Sequence, residues 1–174
     1  MESKHYKRYS GKLVKEALLD TPVVFVMGAR QSGKTTLIKE LTNEAWRFIN
    51  LDDQTQLNLV KEDPIGFIRM LNEEHIAIDE IQRLPELLIA IKQSVDNNRM
   101  PGRFLLTGSA NALVFPKVAD SLAGRIETVL LSPLSECEIN NTKPLFLSYL
   151  IDGQVRECKS IVDKKYLIQR IVTV

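Results

Sequence analysis

Val23-Val24-Phe25-Val26-Met27-Gly28-Ala29-Arg30-Gln31-Ser32-Gly33-Lys34-Thr35-Thr36-Leu37 is the stretch whose reading decides the fold. Its first five residues are apolar, mostly β-branched and of strand length, and they run straight into a glycine turn. Gly28 through Thr35 then matches GxxxxGK[ST], and Leu37, Ile38 and Leu41 fall on one face of a helical pattern. Strand, glycine loop and helix in that order build a cradle for phosphate. Gly28 and Gly33 permit positive φ and close backbone approach. The helix opening near Gly33 adds unpaired N–H groups and the positive end of its dipole. Gly28, Ala29, Arg30, Gln31, Ser32, Gly33, Lys34, Thr35 and Thr36 are therefore the nucleotide-binding candidates, the Walker A element. Lys34 is expected to reach the β- and γ-phosphates, and the Thr35 hydroxyl to ligate Mg²⁺.

Four more short apolar runs follow. Arg47-Phe48-Ile49-Asn50-Leu51 ends in Asp52-Asp53, and His75-Ile76-Ala77-Ile78 ends in Asp79-Glu80. Arg103-Phe104-Leu105-Leu106-Thr107 ends in Gly108-Ser109, and Glu127-Thr128-Val129-Leu130-Leu131 meets Ser132-Pro133. Near-continuous apolar strands are what a parallel sheet covered on both faces requires. Between them, Leu84, Leu87, Leu88, Ile91 and Val95 draw one helical stripe, with Pro85 placed in that helix's first turn. Leu13, Val14, Ala17 and Leu18 predict a helix ahead of the first strand, closed by Asp20-Thr21-Pro22. Strands alternating with helices mean βαβ units and an α/β fold.

The chain has 174 residues, 44% hydrophobic and 26% charged, with a net charge of +1. That balance excludes a disordered chain and argues against nucleic-acid or membrane binding by bulk charge. Cys137 and Cys158 make neither a disulfide framework nor a four-ligand zinc site, and free thiols in a reducing cytoplasm are expected. No apolar run is long enough to span a bilayer. At the N-terminus, Lys4-His5-Tyr6-Lys7-Arg8-Tyr9 interleaves base and aromatic as single-strand nucleic-acid binders do, but a frayed, solubilising tail is the expectation. Beyond Pro133 the alternation stops, and segments 145–151 and 166–172 are apolar without evident partners. The chain is thus expected to be the N-terminal part of a longer architecture. Its divisions are a helix and tail over 1–21, a core over 22–138, and the truncated start of a lid or linker over 139–174.

Asp79, ending an apolar strand, is a candidate for holding Mg²⁺, and Glu80 for polarising a water against the γ-phosphate (the Walker B pair). An acidic pair after the strand favours hydrolysis over phosphate transfer to a small molecule. Thr107, Ser109 and Asn111 follow the fourth run, where a polar side chain can touch the γ-phosphate and attacking water; spacing does not choose among them, and a helix cap is the competing role. Arg125, after Gly124, is a candidate to neutralise transition-state charge, in its own site or a neighbour's, against the plainer role of a surface arginine after a glycine helix stop.

Taken together the motifs resemble the bacterial and archaeal AAA+-type ATPases that carry an uncharacterised C-terminal domain after the ATPase core. The matching pieces are Pro22-Val23-Val24, the loop 28–37, Asn50-Leu51-Asp52-Asp53, Asp63-Pro64, Ile78-Asp79-Glu80-Ile81-Gln82, Pro85-Glu86-Leu87-Leu88, Leu106-Thr107-Gly108-Ser109-Ala110-Asn111, Ser121-Leu122-Ala123-Gly124-Arg125 and Pro133-Leu134-Ser135. The resemblance implies a P-loop three-layer sandwich with a parallel five-stranded sheet in the order 5-1-4-3-2. It carries phosphate and Mg²⁺ roles onto Lys34, Thr35 and Asp79, and water activation onto Glu80. It raises Ser109 and Asn111 as γ-phosphate sensors and Arg125 as an arginine finger or sensor. The expected activity is Mg²⁺-dependent ATP hydrolysis that moves an attached domain or partner, in the cytoplasm, with a homo-oligomer and a C-terminal domain as partners. DNA is a further partner to test, unsupported by the charge. Two alternatives are a nucleotide-gated signalling module with little hydrolysis, and a P-loop kinase.

Overall fold

The five apolar runs are strands β1 (Val23–Gly28), β2 (Trp46–Asn50), β3 (His75–Asp79), β4 (Phe104–Ser109) and β5 (Ile126–Leu131). In the computed structural model of the chain they pair in parallel in the order β2-β3-β4-β1-β5, which is 5-1-4-3-2 read from the other edge. The structure describes residues 5–71, 75–109 and 122–145, with 148, 151 and 152. The chain divides into two compact units, Met1–Asn141 and Thr142–Val174, and every strand and named helix lies in the first.

The period-two alternation of strand side chains splits the core into two clusters. Val23 and Phe25 join Ile76, Ile78, Phe104 and Leu106 on one face of the sheet. Val24 and Val26 join Ala77, Leu105, Val129 and Leu131 on the other. Helices α1 (Ser10–Ala17) and α2 (Lys34–Leu41) cover this second face with Val14, Ala17, Leu37 and Ile38. Helices α3 (Gln54–Glu62), α4 (Pro64–Met70) and α5 (Leu87–Asn97) cover the first with Val60, Ile68, Leu87, Ile91 and Val95. Each fully buried large side chain contributes about 1.5–3 kcal/mol, which is why the strands tolerate so few polar residues.

The helix expected from Leu84 begins instead at Leu87. Leu84 precedes a proline, which disfavours helical backbone, and it lies at φ −141°, ψ 74° after a 3₁₀ turn over Ile81–Arg83. Helices α3 and α4 carry only a weak apolar stripe and start on aspartates. Asp53 accepts from Thr55 N at 2.8 Å and Gln56 N at 3.3 Å, and Asp63 accepts from Gly66 N at 2.8 Å, followed by Pro64. After β5, Ser135 and Glu138 form a reciprocal capping box on the short helix α6 (Glu136–Ile139). Among the described residues no helix is long and apolar enough to cross a membrane.

Candidate nucleotide-binding site

β1 delivers Gly28 into a loop that returns as α2. A Cβ on Gly28 would stand 2.5 Å from the Leu131 carbonyl oxygen and 2.7 Å from Ser32 Oγ, so only glycine lets the loop pass this close to β5. Gln31 (φ 62°) and Gly33 (φ 90°) are left-handed, a conformation that curls the loop and brings main-chain N–H groups together. The Ser32 hydroxyl is buried in this curl without a hydrogen-bond partner. A buried hydroxyl left unpaired is costly, and phosphate oxygens are acceptors that suit it. The loop therefore fits a phosphate.

Lys34 opens α2 with its side chain 5% exposed; its Nζ donates to the carbonyls of Gly28 at 3.3 Å and Ala29 at 3.0 Å and lies 3.9 Å from a Glu80 carboxylate oxygen. The Thr35 hydroxyl donates to Asp79 Oδ2 at 2.6 Å. A hydroxyl and a carboxylate side by side are hard oxygen donors of the kind Mg²⁺ takes, with waters and phosphate oxygens completing its shell.

β4 lies between β1 and β3, and this neighbourhood organises the acidic pair. The buried Thr107 hydroxyl donates to Asp79 Oδ1 and accepts the Glu80 N–H at 3.0 Å. Glu80 itself stands at φ 59°, ψ 48°, left-handed and rare for a residue with a side chain, so the Thr107 bond helps hold a costly backbone. Its carboxylate accepts from Gln82 Nε2. Glu80, Gln82, Lys34, Arg30 and Ser109 line one cavity of about 400 Å³. A second cavity of about 190 Å³ borders the same loop at Gln31, Ser32, Gly33 and Thr36, with Tyr6 and Leu134 opposite, and shares no lining residue with the first.

Of the predicted residues, the structure brings together Gly28, Ala29, Arg30, Gln31, Ser32, Gly33, Lys34, Thr35, Thr36, Asp79, Glu80 and Ser109 around this loop. Asn111 lies outside the described residues. Arg125 does not join them. The register pairs Val23 with Ile126 and Gly28 with Leu131, which leaves Arg125 at the end of the sheet where β1 starts, roughly 20 Å along the strands from the loop. There its guanidinium bonds Asp96 and the Ala123 carbonyl. In this structure Arg125 thus lies away from its own chain's loop.

The expectation of a frayed tail does not hold for Arg8 and Tyr9. Arg8, with its side chain 7% exposed, donates to the Ser32 carbonyl at 2.6 Å, to the Ser132 carbonyl, and to Glu138 Oε1 at 3.2 Å. Glu138 accepts further from Tyr9 N and Ser135 N, both at 2.9 Å. Burial pushes the Glu138 carboxyl up, but the Ser135 and Tyr9 amides, the Arg8 guanidinium and the Ser135 hydroxyl outweigh it and leave its pKa below the ordinary value. This anchoring through the buried Arg8 side chain was hidden in the sequence behind its Lys- and Tyr-rich surroundings. Only the Ser135-x-x-Glu138 capping pattern offered a signal.

A parallel five-stranded sheet with a GxxxxGK[ST] loop between its first strand in the chain, β1, and the next helix defines a P-loop NTPase core. A family model described as an AAA domain matches residues 20–140, and the chain belongs to that family of nucleotide-binding, ATPase-type domains. It is 34% identical over 137 residues to the uncharacterized proteins Rv2008c of Mycobacterium tuberculosis and Mb2031c of Mycobacterium bovis. That match covers 78% of this chain but 31% of each relative, so the chain spans about a third of the length of those proteins. The fold is similar to AMPPCP-bound DnaA from Aquifex aeolicus, with a TM-score of 0.50, 19% identity, and coverage of 74% of this chain and 48% of that one. It is likewise similar to a Bacteroides Pif1 in complex with ADP-AlF4, with a TM-score of 0.50, 16% identity, and coverage of 88% and 48%.

Proposed function

We propose that this domain binds ATP with Mg²⁺ and hydrolyses it to drive motion of an attached domain or partner. The observation that carries this reading is the convergence of Lys34, Thr35, Asp79 and Glu80 on one glycine loop, with Glu80 facing a cavity of about 400 Å³. Lys34 would leave the Gly28 and Ala29 carbonyls to bind the β- and γ-phosphates. Thr35 and Asp79 would hold Mg²⁺, which supplies charge neutralisation on the phosphates. Glu80 orients a water and accepts its proton as the water oxygen bonds the γ-phosphorus. The bond to the bridging oxygen breaks, and its electron pair leaves with ADP. Ser109, on the rim of that cavity, and Asn111 are proposed to contact the γ-phosphate.

Arg125 is proposed as a finger for a neighbouring copy, because its place on the sheet puts its own loop out of reach. Hydrolysis would then require a homo-oligomer. The lid, linker and further domain are proposed to follow the core, 139–174 being their beginning. Titration calorimetry and phosphate release test the assignment together. Lys34→Ala is expected to abolish nucleotide binding, whereas Glu80→Gln and Arg125→Ala keep binding and lose release. Equal affinity in Lys34→Ala and the parent refutes the site, and release undiminished in Arg125→Ala refutes the finger. Full binding with no release by the parent, with or without excess protein, would favour the nucleotide-gated module.

A further inference from the structure

We infer that Arg8 is a positioning residue of the phosphate loop, acting on the Ser32–Gly33 peptide; the inference rests on nucleotide binding at that loop. The chain contains no cis peptide bond among its described residues, so the Ser32 carbonyl and the Gly33 N–H point in opposite directions across one rigid plane. Arg8 Nη1 holds that carbonyl at 2.6 Å. Anchoring the oxygen on the guanidinium turns the Gly33 N–H to the opposite side of the peptide, away from Arg8. Gly33, at φ 90°, is the residue in the loop with least intrinsic preference for one orientation, so an external anchor has the most to fix there. A cation on the carbonyl also polarises the peptide and makes its N–H a better donor to an anion.

The anchor is itself held. Three donors of one guanidinium go to three different segments: Ser32 in the loop, Ser132 after β5, and Glu138 in α6. Glu138 carries the opposing charge and is fixed in turn by Tyr9 N, Ser135 N and Ser135 Oγ. Glu138 lines neither cavity beside the loop, whereas Arg8 lines the smaller one, so an effect of Glu138 on a ligand passes through the residues it holds, Arg8 and the Tyr9 backbone. A lysine at position 8 keeps the charge but has one nitrogen, which cannot serve three acceptors in a fixed plane.

The test uses the full chain and two probes, Mg²⁺–ATP and Mg²⁺–tripolyphosphate, the second lacking any nucleoside. Arg8→Lys and Glu138→Gln are each expected to weaken both probes by the same factor, about 10- to 100-fold, the value of a charge-assisted hydrogen bond. The double variant should be little worse than Arg8→Lys alone, since both act through one contact. In turnover, KM for ATP should rise while kcat holds, because the peptide grips ground state and transition state alike. Arg8→Lys weakening ATP but not tripolyphosphate would overturn the inference in favour of a nucleoside contact. Glu138→Gln binding both probes like the parent would also overturn it, and that comparison decides alone should Arg8→Lys fail to fold. A parent that binds neither probe refutes the nucleotide site itself, and a parent that binds both with indifferent variants refutes only the role of Arg8.

Discussion

Thr107→Val isolates the contact that joins the two acidic residues to the sheet. Valine fills nearly the same space, so the packing of β4 between β1 and β3 is preserved and only the hydroxyl is lost. That hydroxyl donates to Asp79 and accepts the Glu80 N–H at 3.0 Å. A hydrogen bond to an ionised group contributes about 1.5–3 kcal/mol, and a buried N–H left unpaired costs about 1–3 kcal/mol. The two terms share one oxygen and do not add in full, so a loss of about 2–4 kcal/mol of unfolding free energy is expected. Against a total of about 5–15 kcal/mol this is a large fraction. Asp79 keeps its second partner, Thr35 at 2.6 Å, and Lys34 is untouched. Nucleotide binding should therefore fall less than phosphate release, which under the proposed role of Glu80 would depend on where that carboxylate is held. Urea unfolding followed by circular dichroism, calorimetry with Mg²⁺–ATP, and phosphate release measure the three quantities. Thr107→Ser retains the hydroxyl and should recover release. A valine variant within about 0.5 kcal/mol of the parent, or valine and serine variants that release phosphate alike, would refute the reasoning.

Two further outcomes follow from the same geometry. Gly28→Ala puts a methyl 2.5 Å from the backbone oxygen of Leu131, so loop or strand must shift; about 1–3 kcal/mol of stability and most nucleotide affinity should be lost, and retention of parental affinity in calorimetry would show that the loop yields freely. The lowered pKa of Glu138 means the unfolded chain binds more protons there. Its stability contribution is whole above the ordinary value of 4.5 and is lost as pH falls through the lowered folded value. The urea midpoint of the parent should thus drop more steeply below that pH than the midpoint of Glu138→Gln, and parallel profiles would contradict the buried Arg8–Glu138 contact.

The strands were legible because a sheet covered on both faces leaves almost unbroken apolar runs, as in Val23-Val24-Phe25-Val26. The strand order was not legible in periodicity; it came with the family resemblance. Helix α3 escaped because a single residue of its nine, Val60, is buried, too thin a stripe to register as amphipathic. Its start was nevertheless written in Asp53, as that of α4 was in Asp63-Pro64. The glycine loop between β1 and α2 could be located from sequence because its motif is made of contiguous residues. Arg8 and Glu138 could not, since their contact spans 130 positions and depends on how α1 and the end of β5 are folded against the loop. Side chain to backbone bonds across such distances leave no period in a sequence.

The choice among the polar residues at the end of β4 shows what the third dimension adds. Thr107 and Ser109 point to the same face, two residues apart, and spacing treats them as equals. Register separates them. Ile78 pairs with Leu106, so Thr107 comes level with Asp79, where its one proton goes to the carboxylate and a lone pair takes the Glu80 N–H. Ser109 pairs with Gly28 and lies on the rim of the cavity that Glu80 faces. A hydroxyl spent on two protein groups is a poor reader of ligand, because each new bond would break an existing one. On that ground Thr107 is the clasp that sets Asp79 and Glu80, and Ser109 is the better placed of the two to meet a phosphate oxygen.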